Sequence, residues 1–422
     1  MEYKHIIRAL TIALALLFTS SLCNAQQRKI DWKRDLDSLA VWLPQKHYNM
    51  FLYRDKTFFN NGIEELKNEV DSCSKLDKLL RLQQFIVKFG DAHTNVNYME
   101  EISSNRIYPL GLECFGDDYY IISTTKKYKH LLGKRLTKIN DFPIRLVEKL
   151  FSSLIVVDSR SSIYNTMPNL LSLAEVYKFF KIAQNYSIKI SYDDNGRERS
   201  SIIQASPINT NLITSVRPQK FAMHIANKDI LFNDTYLPND KIYYIQYNKC
   251  WNRELEERYG KKERAAAMPS FVEFSERILK TIDEKDIKKL VFDLRYNAGG
   301  NSRPFTELVK QIAAKLKDRK DIKCYAVIGR RTFSSGILNS LDLKNNLNAT
   351  FVGEETSGCA NHLGEIRGLR LPESNAEISY STKYFKDPEF SDGPLRPDVV
   401  QQTSYIDYIR GTDPVLEWIK IQ

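Results

Sequence analysis

A chain of 422 residues, 42% hydrophobic and 27% charged, has ordinary globular composition and room for two or three domains, which excludes a disordered or low-complexity protein. The net charge of +10 reflects 62 Lys and Arg against 52 Asp and Glu, with cations interleaved with acids in runs such as "KKYKHLLGKR" and "KDRKDIK". No aromatic-studded basic patch accompanies them, so the pattern reads as a solvated surface and argues against nucleic-acid binding.

The chain begins "MEYKHIIRALTIALALLFTSSLCNAQQ". Lys4 and Arg8 precede an apolar run from Ala9 to Phe18, and small residues follow as far as Ala25. This is the layout of a secretory signal over residues 1–25, too short and wrongly flanked for a spanning helix, so no transmembrane segment is expected after its removal. The protein is therefore expected to be exported, periplasmic or extracellular. Cys23 offers a lipoprotein alternative, but Leu22 stands where such a signal has a small residue, so cleavage after Ala25 is favoured. The remaining cysteines, Cys73, Cys114, Cys250, Cys324 and Cys359, are odd in number and scattered, which fits neither a disulfide framework nor a metal knuckle.

From Asp31 to about Val96, "DWKRDLDSLAVWL" and "KLDKLLRLQQFIVKFG" repeat apolar residues at three- and four-residue steps, an N-terminal helical region over 26–104. Residues 105–207 change to short alternating runs, "DYYIIS", "RLTKIN" and "SIKISY", broken by turn signals such as "INDFP" and "YDDNGRER". Within them, "LGKRLTKINDFPIRLVEKLF" reads as strand, turn and amphipathic helix. Residues 208–422 alternate strand and helix from Lys241 onward: "KIYYIQYNKCW", "SFVEFSERILKTIDE", "KKLVFDLR", "PFTELVKQIAAKLKD", "CYAVIG", "SSGILNSLDL", "ATFVGEE". Such alternation implies parallel strands with crossover helices, and ligands then collect beyond the carboxyl ends of the strands.

Two loops of this region leave strand ends and enter helices. In "DLRYNAGGNSRPF", Gly299 and Gly300 allow backbone angles closed to other residues. The loop is either a plain glycine turn or a set of backbone N–H groups that bind developing negative charge. In "GRRTFSSGILNSL", Ser334 and Ser335 stand at a helix start, a position that suits both a capping serine and a nucleophile. A serine nucleophile needs a base. Of His47, His93, His130, His224 and His362, His93 lies in the polar turn "KFGDAHTNV" directly after an amphipathic helix, where a structural role is least obvious.

The motifs "VFDLRYNAGG", "RRTFSSG" and "ATFVGEETSG", in this order and spacing, resemble the core of the C-terminal processing (tail-specific) peptidases and their tricorn-core relatives. "GDAHT" is similar to the histidine-bearing element of the tricorn-like branch, and "LGKRLTKINDFPIRLVEKL" resembles the PDZ-like domain those enzymes carry. The resemblance implies a multi-domain α/β protein with a crotonase/ClpP-like peptidase core, an N-terminal helical region and a PDZ-like β-rich domain. It makes Ser334 the nucleophile, with the N–H of Ser335 and that of Gly299, or else Gly300, as the oxyanion hole. Cys359 stands where the processing branch has its lysine base, which favours His93 as general base. Relatives place an acid before a "G-V-x-P-D" element; in "DPEFSDGPLRPDVV", Asp392 is nearest that place and Glu389 next. Where many relatives have an acidic run after the serines, this chain has "GILN".

The expected function is an exported serine peptidase acting on protein or peptide substrates through an acyl-enzyme, with no metal or other cofactor. The alternatives are an inert peptidase scaffold that binds peptides through the PDZ-like domain, and another acyl-transfer enzyme on a crotonase-like core. The oligomeric state is not legible. N-terminal sequencing of exported protein is expected to begin at Gln26; lipidated Cys23 as first residue would refute this.

Overall fold

The computed structural model describes residues 30–69, 73–207 and 212–422; the signal segment, with Cys23 and the cleavage point before Gln26, lies outside them. The protein is a multi-domain α/β structure organised around three sheets.

The first packing unit is helical. Helices Trp32–Lys46, Lys56–Glu69 and Lys75–Ile86 present Leu36, Leu39, Leu43, Phe59, Ile63, Leu79 and Leu82 to one core, as the sequence spacing requires. The helix Lys56–Glu69 falls where no periodic motif stood out. The other half of that core comes from the far end of the chain: Leu369, Leu371, Ile378 and Tyr380 belong to the antiparallel hairpin His362–Arg370/Glu377–Phe385. Asn95–Val96 adds a third strand to this hairpin, with Asn95 opposite Ser379. Buried Asp35 holds the hairpin turn, accepting from Glu373 N–H at 2.8 Å and Ser374 N–H at 2.9 Å.

The second unit is a largely antiparallel sheet of Leu110–Phe115, Asp118–Thr125, Arg135–Ile139, Ser187–Asp194 and Arg197–Gln204, joined by Phe142–Pro143 and Ile213–Ser215. Its turns are where the sequence signals place them, with Asn140, Asp141 and Asn195 at positive φ. The helix Ile144–Phe151 follows, as the amphipathic run requires, and the helices Arg160–Leu170 and Ala174–Phe179 are two more in a region the sequence reads as β-rich with that one helix.

The third unit is a six-stranded sheet ordered Val399–Val400, Thr350–Gly353, Lys323–Ile328, Lys289–Asp293, Ile242–Tyr247 and Phe232–Leu237, parallel except for the last pair. The strand Ile242–Tyr247 is buried along its whole length because helices cover both faces. Phe271–Glu284, Arg303–Lys315 and Ser335–Leu347 pack on one side through Phe274, Ile278, Phe305, Leu308, Ile337 and Leu341. Pro414–Lys420 packs on the other through Val415, Leu416 and Ile419. Both candidate loops therefore emerge at the carboxyl ends of adjacent parallel strands.

Leu39 is fully buried in the core shared by the N-terminal helices and the hairpin. Leu39→Ala is expected to lower stability by about 3 kcal/mol, read as a shifted denaturant midpoint at unchanged slope. A loss below roughly 1 kcal/mol would mean that this interface contributes little to the fold.

Candidate active site

Both loops hang on one asparagine. Asn297 is fully buried; its Nδ2 donates to Tyr247 O, its Oδ1 accepts Gly299 N–H, each at 2.9 Å, and its own carbonyl accepts Phe333 N–H at 2.9 Å. The last bond fastens the serine loop to the glycine loop. Gly299 and Gly300 sit at φ +102° and +136°, and a Cβ on Gly300 would lie 2.2 Å from Cys250 O, so the second glycine is required by both angle and space. Gly336 is required by space alone, since a Cβ there would meet Asn297 O at 2.3 Å.

Ser334 occupies the cap position of the helix Ser335–Leu347 at φ +50°, ψ −123°. A non-glycine residue there stores about 1–3 kcal/mol of backbone strain and projects its side chain out of the turn. Ser335 is turned inward, and its hydroxyl donates to Gly300 O at 2.8 Å. The adjacent serines thus face different ways, one towards the cleft and one into the glycine loop.

His93 reaches this turn from the N-terminal unit. The helix Lys75–Ile86 tightens into a short 3₁₀ turn, Val87–Phe89, and stops at Gly90 in the left-handed region. The chain after it is clamped to the hairpin: Ser379 Oγ donates to His93 O at 2.8 Å and accepts Asn95 N–H at 3.1 Å. The imidazole, 5% exposed, stacks on Phe333 with centroids 4.7 Å apart, and Nε2 hydrogen-bonds Ser334 Oγ at 2.9 Å. Two residues 241 apart in sequence therefore meet.

Asp91, two residues before His93, is the acidic group beside it. Its Oδ1 accepts His93 N–H at 2.9 Å and lies 3.9 Å from His93 Nδ1. Its Oδ2 takes Thr94 Oγ1 at 2.5 Å and His47 Nε2 at 3.0 Å. Because His47 Nδ1 accepts Asn49 N–H at 3.0 Å, the proton of that imidazole sits on Nε2 and points at Asp91. Burial alone would raise the Asp91 pKa, but donation from His47, the neighbouring Ser381 hydroxyl, Thr94 and the His93 N–H outweighs it and brings the carboxyl down to about 2. His93 moves down as well, to about 4, chiefly by burial and then by His362, whose ring stacks on it at 5.7 Å; Asp91 and the Leu363 backbone oppose this. The imidazole is neutral and able to accept a proton across the neutral range.

Two sequence expectations are met differently. Gly299 N–H is engaged by Asn297 Oδ1, whereas the N–H groups of Gly300 and Ser335 have no acceptor among the described residues. Asp392 is held away from His93, accepting Asn361 Nδ2 at 3.1 Å, and Glu389 is exposed. The loop that carries Asp392 is tied instead to the chain before the hairpin, where Ala360 N–H donates to Gly393 O at 2.7 Å. Asp91 was present in "GDAHT", but a carboxylate two residues from a histidine is indistinguishable in sequence from a turn-capping aspartate. Cys359, in place of a lysine, is a protonated thiol, pushed up to about 12 by burial. Of the other histidines, His130 bonds Ser201 at the surface, and His224 pairs with Asp413, which also grips Arg295 at the base of the glycine loop.

No protein-family model matches the sequence, and the search of curated proteins returns no match. Solved structures do match. Mature CPAF complexed with lactacystin aligns over 92% of this chain and 97% of its own at 11% identity, with a TM-score of 0.65. Mature CPAF alone gives 92%, 96%, 11% and 0.65. The photosystem II D1 C-terminal processing protease aligns over 92% and 99% at 12% identity, with a TM-score of 0.41. At such identities the likeness is one of fold, and the CPAF alignment extends it over nearly the whole described chain.

Asp91→Asn is expected to cost about 2 kcal/mol of stability at neutral pH. The folded-state pKa near 2 lies below the ordinary carboxyl value of 3.8, so the contribution is complete above roughly pH 4 and is lost as pH falls towards 2. Denaturant titrations of wild type and variant should stay separated from pH 7 to 5 and converge below about pH 4. A separation independent of pH would show that the charge of Asp91 is not what stabilises the site.

Proposed function

We propose that this fold, shared with mature CPAF and in keeping with the motif resemblance to the C-terminal processing peptidases, carries an exported serine peptidase. The observation that supports it most is the 2.9 Å hydrogen bond between Ser334 Oγ and a buried, neutral His93 Nε2 at the mouth of a glycine loop. A capping serine has no need of an imidazole; a nucleophile does.

In this reading His93 Nε2 takes the Ser334 proton as Oγ bonds to the scissile carbonyl carbon. The imidazolium so formed holds the transferred proton on Nε2 and keeps its original one on Nδ1, with the ionised Asp91 carboxylate 3.9 Å from that nitrogen. Asp91 acts as the acidic member, steadied by His47 and Thr94, in place of Asp392. The oxyanion is held by the free N–H groups of Ser335 and Gly300, each worth about 3 kcal/mol in the barrier. His93 then returns its proton to the departing amine nitrogen, and water, activated by the same imidazole, hydrolyses the acyl-enzyme. The substrates are proteins or peptides. We assign residues 26–104 to a helical domain that delivers His93, 105–207 to a PDZ-like module and 208–422 to the peptidase core.

Labelling by an alkyl fluorophosphonate tests this. Ser334→Ala should abolish labelling and peptide cleavage with little change in folding. Ser335→Ala keeps its backbone donor and loses one neutral hydrogen bond, about 1 kcal/mol, so its rate should fall no more than roughly tenfold. The labelling rate should stay level from pH 8 to about 5 and drop near pH 4, where His93 takes up its proton, well below the ordinary imidazole range. A folded wild-type chain that does not label would sink the peptidase reading and favour the peptide-binding alternative.

A further inference from the structure

The cleft at Ser334 encloses about 850 Å³. One face of the nucleophile helix lines it: Leu338, Leu341, Asp342 and Asn345 follow Ser335 at the steps of three and four that put side chains on one stripe. The facing wall includes Thr306 of the helix Arg303–Lys315. Leu338 and Leu341 make the near part of the stripe apolar, and Asp342 interrupts it.

Asp342 is half-buried and fixed in orientation. Its Oδ2 accepts Thr306 Oγ1 at 2.6 Å and Asn339 Nδ2 at 3.1 Å, and Asn339 is itself fully buried. No cation among the described residues pairs with it; Lys310, one turn along the neighbouring helix from Thr306, is engaged by Glu307 at 2.8 Å. Burial holds the carboxyl above its usual range, with Thr306, Asn339 and the distant Lys310 offsetting this only in part and Asp387 adding to it. A carboxylate oriented by two donors and lacking a counter-charge gains most from a cation brought by a ligand. Arg303, Arg367, Lys383 and Lys386 also line the cleft, but their side chains are exposed and their fields are screened by solvent.

Resting on the peptidase reading, we propose that Asp342 is a specificity determinant, receiving the lysine or arginine side chain of the residue whose carbonyl Ser334 attacks. Asp342 lies eight helical steps beyond Ser334, a rise of about 12 Å, which a long basic side chain laid over Leu338 and Leu341 can bridge and a short one cannot. The aliphatic stem would lie on the leucines and the cationic head on Asp342.

The test uses three serine reagents on the whole mature chain. A plain alkyl fluorophosphonate reports whether Ser334 is activated. A matched pair of peptidyl phosphonates, one with a lysine-like amine at the recognition position and one with a leucine-like group, reports selectivity. The amine reagent is expected to react at least about tenfold faster in the wild type, and Asp342→Asn, checked for folding by thermal unfolding, should bring the ratio close to one. Equal rates in the wild type, faster reaction of the leucine-like reagent, or an amine advantage that survives in Asp342→Asn would each overturn the assignment while leaving the peptidase reading in place. No reaction with the plain reagent would remove both.

Discussion

The hairpin His362–Phe385 is the constraint on which the rest depends. It leaves the parallel-sheet unit just after the strand Thr350–Gly353 and buries Leu369, Leu371, Ile378 and Tyr380 among the N-terminal helices. Asp35 grips its turn from one side and Ser379 grips the His93 backbone from the other. Closing a contact across 241 residues is opposed by chain entropy. Burial of these apolar side chains supplies the opposing free energy, so the position of the imidazole is a by-product of hydrophobic packing some distance from it.

Burial then acts in opposite senses on two neighbours. For His93 it removes the charged form; for Asp91 it would do the same, but several donors reverse it. The outcome at neutral pH is a neutral imidazole beside a buried anion. His47 belongs to this arrangement, because without its Nε2–H the carboxylate would lose a buried donor. Nδ1 of His93 and Oδ1 of Asp91 are 3.9 Å apart, so their coupling is electrostatic.

The glycine loop obeys a steric logic. Asn297 binds three backbone segments together, and Gly300 and Gly336 leave room for Cys250 O and Asn297 O where any side chain would collide. Ser335 adds a fourth tie through Gly300 O. Gly299 N–H is engaged inside this network, whereas the N–H groups of Gly300 and Ser335, on the two loops that Asn297 joins, have no acceptor among the described residues. Donors held this rigidly need not reorient when a negative charge is brought to them.

Local pattern determined much of the protein. Helical spacing placed the helices Trp32–Lys46 and Lys75–Ile86, strand and helix alternation placed the parallel sheet, and turn residues placed Asn140, Asp141 and Asn195, because each signal depends on neighbours a few positions away. Motif order was enough to single out Ser334 and His93 as candidates. Tertiary structure decided what those signals leave open. The helices Arg160–Leu170 and Ala174–Phe179 carry weak periodicity and are held by packing against the neighbouring sheet. Asp91 rather than Asp392 faces the imidazole, and Gly300 rather than Gly299 has its N–H free, because both outcomes turn on which donors and acceptors are already engaged by distant residues such as His47 and Asn297. Hydrogen-bond occupancy and burial are properties of the folded packing, and one-dimensional spacing carries no record of either.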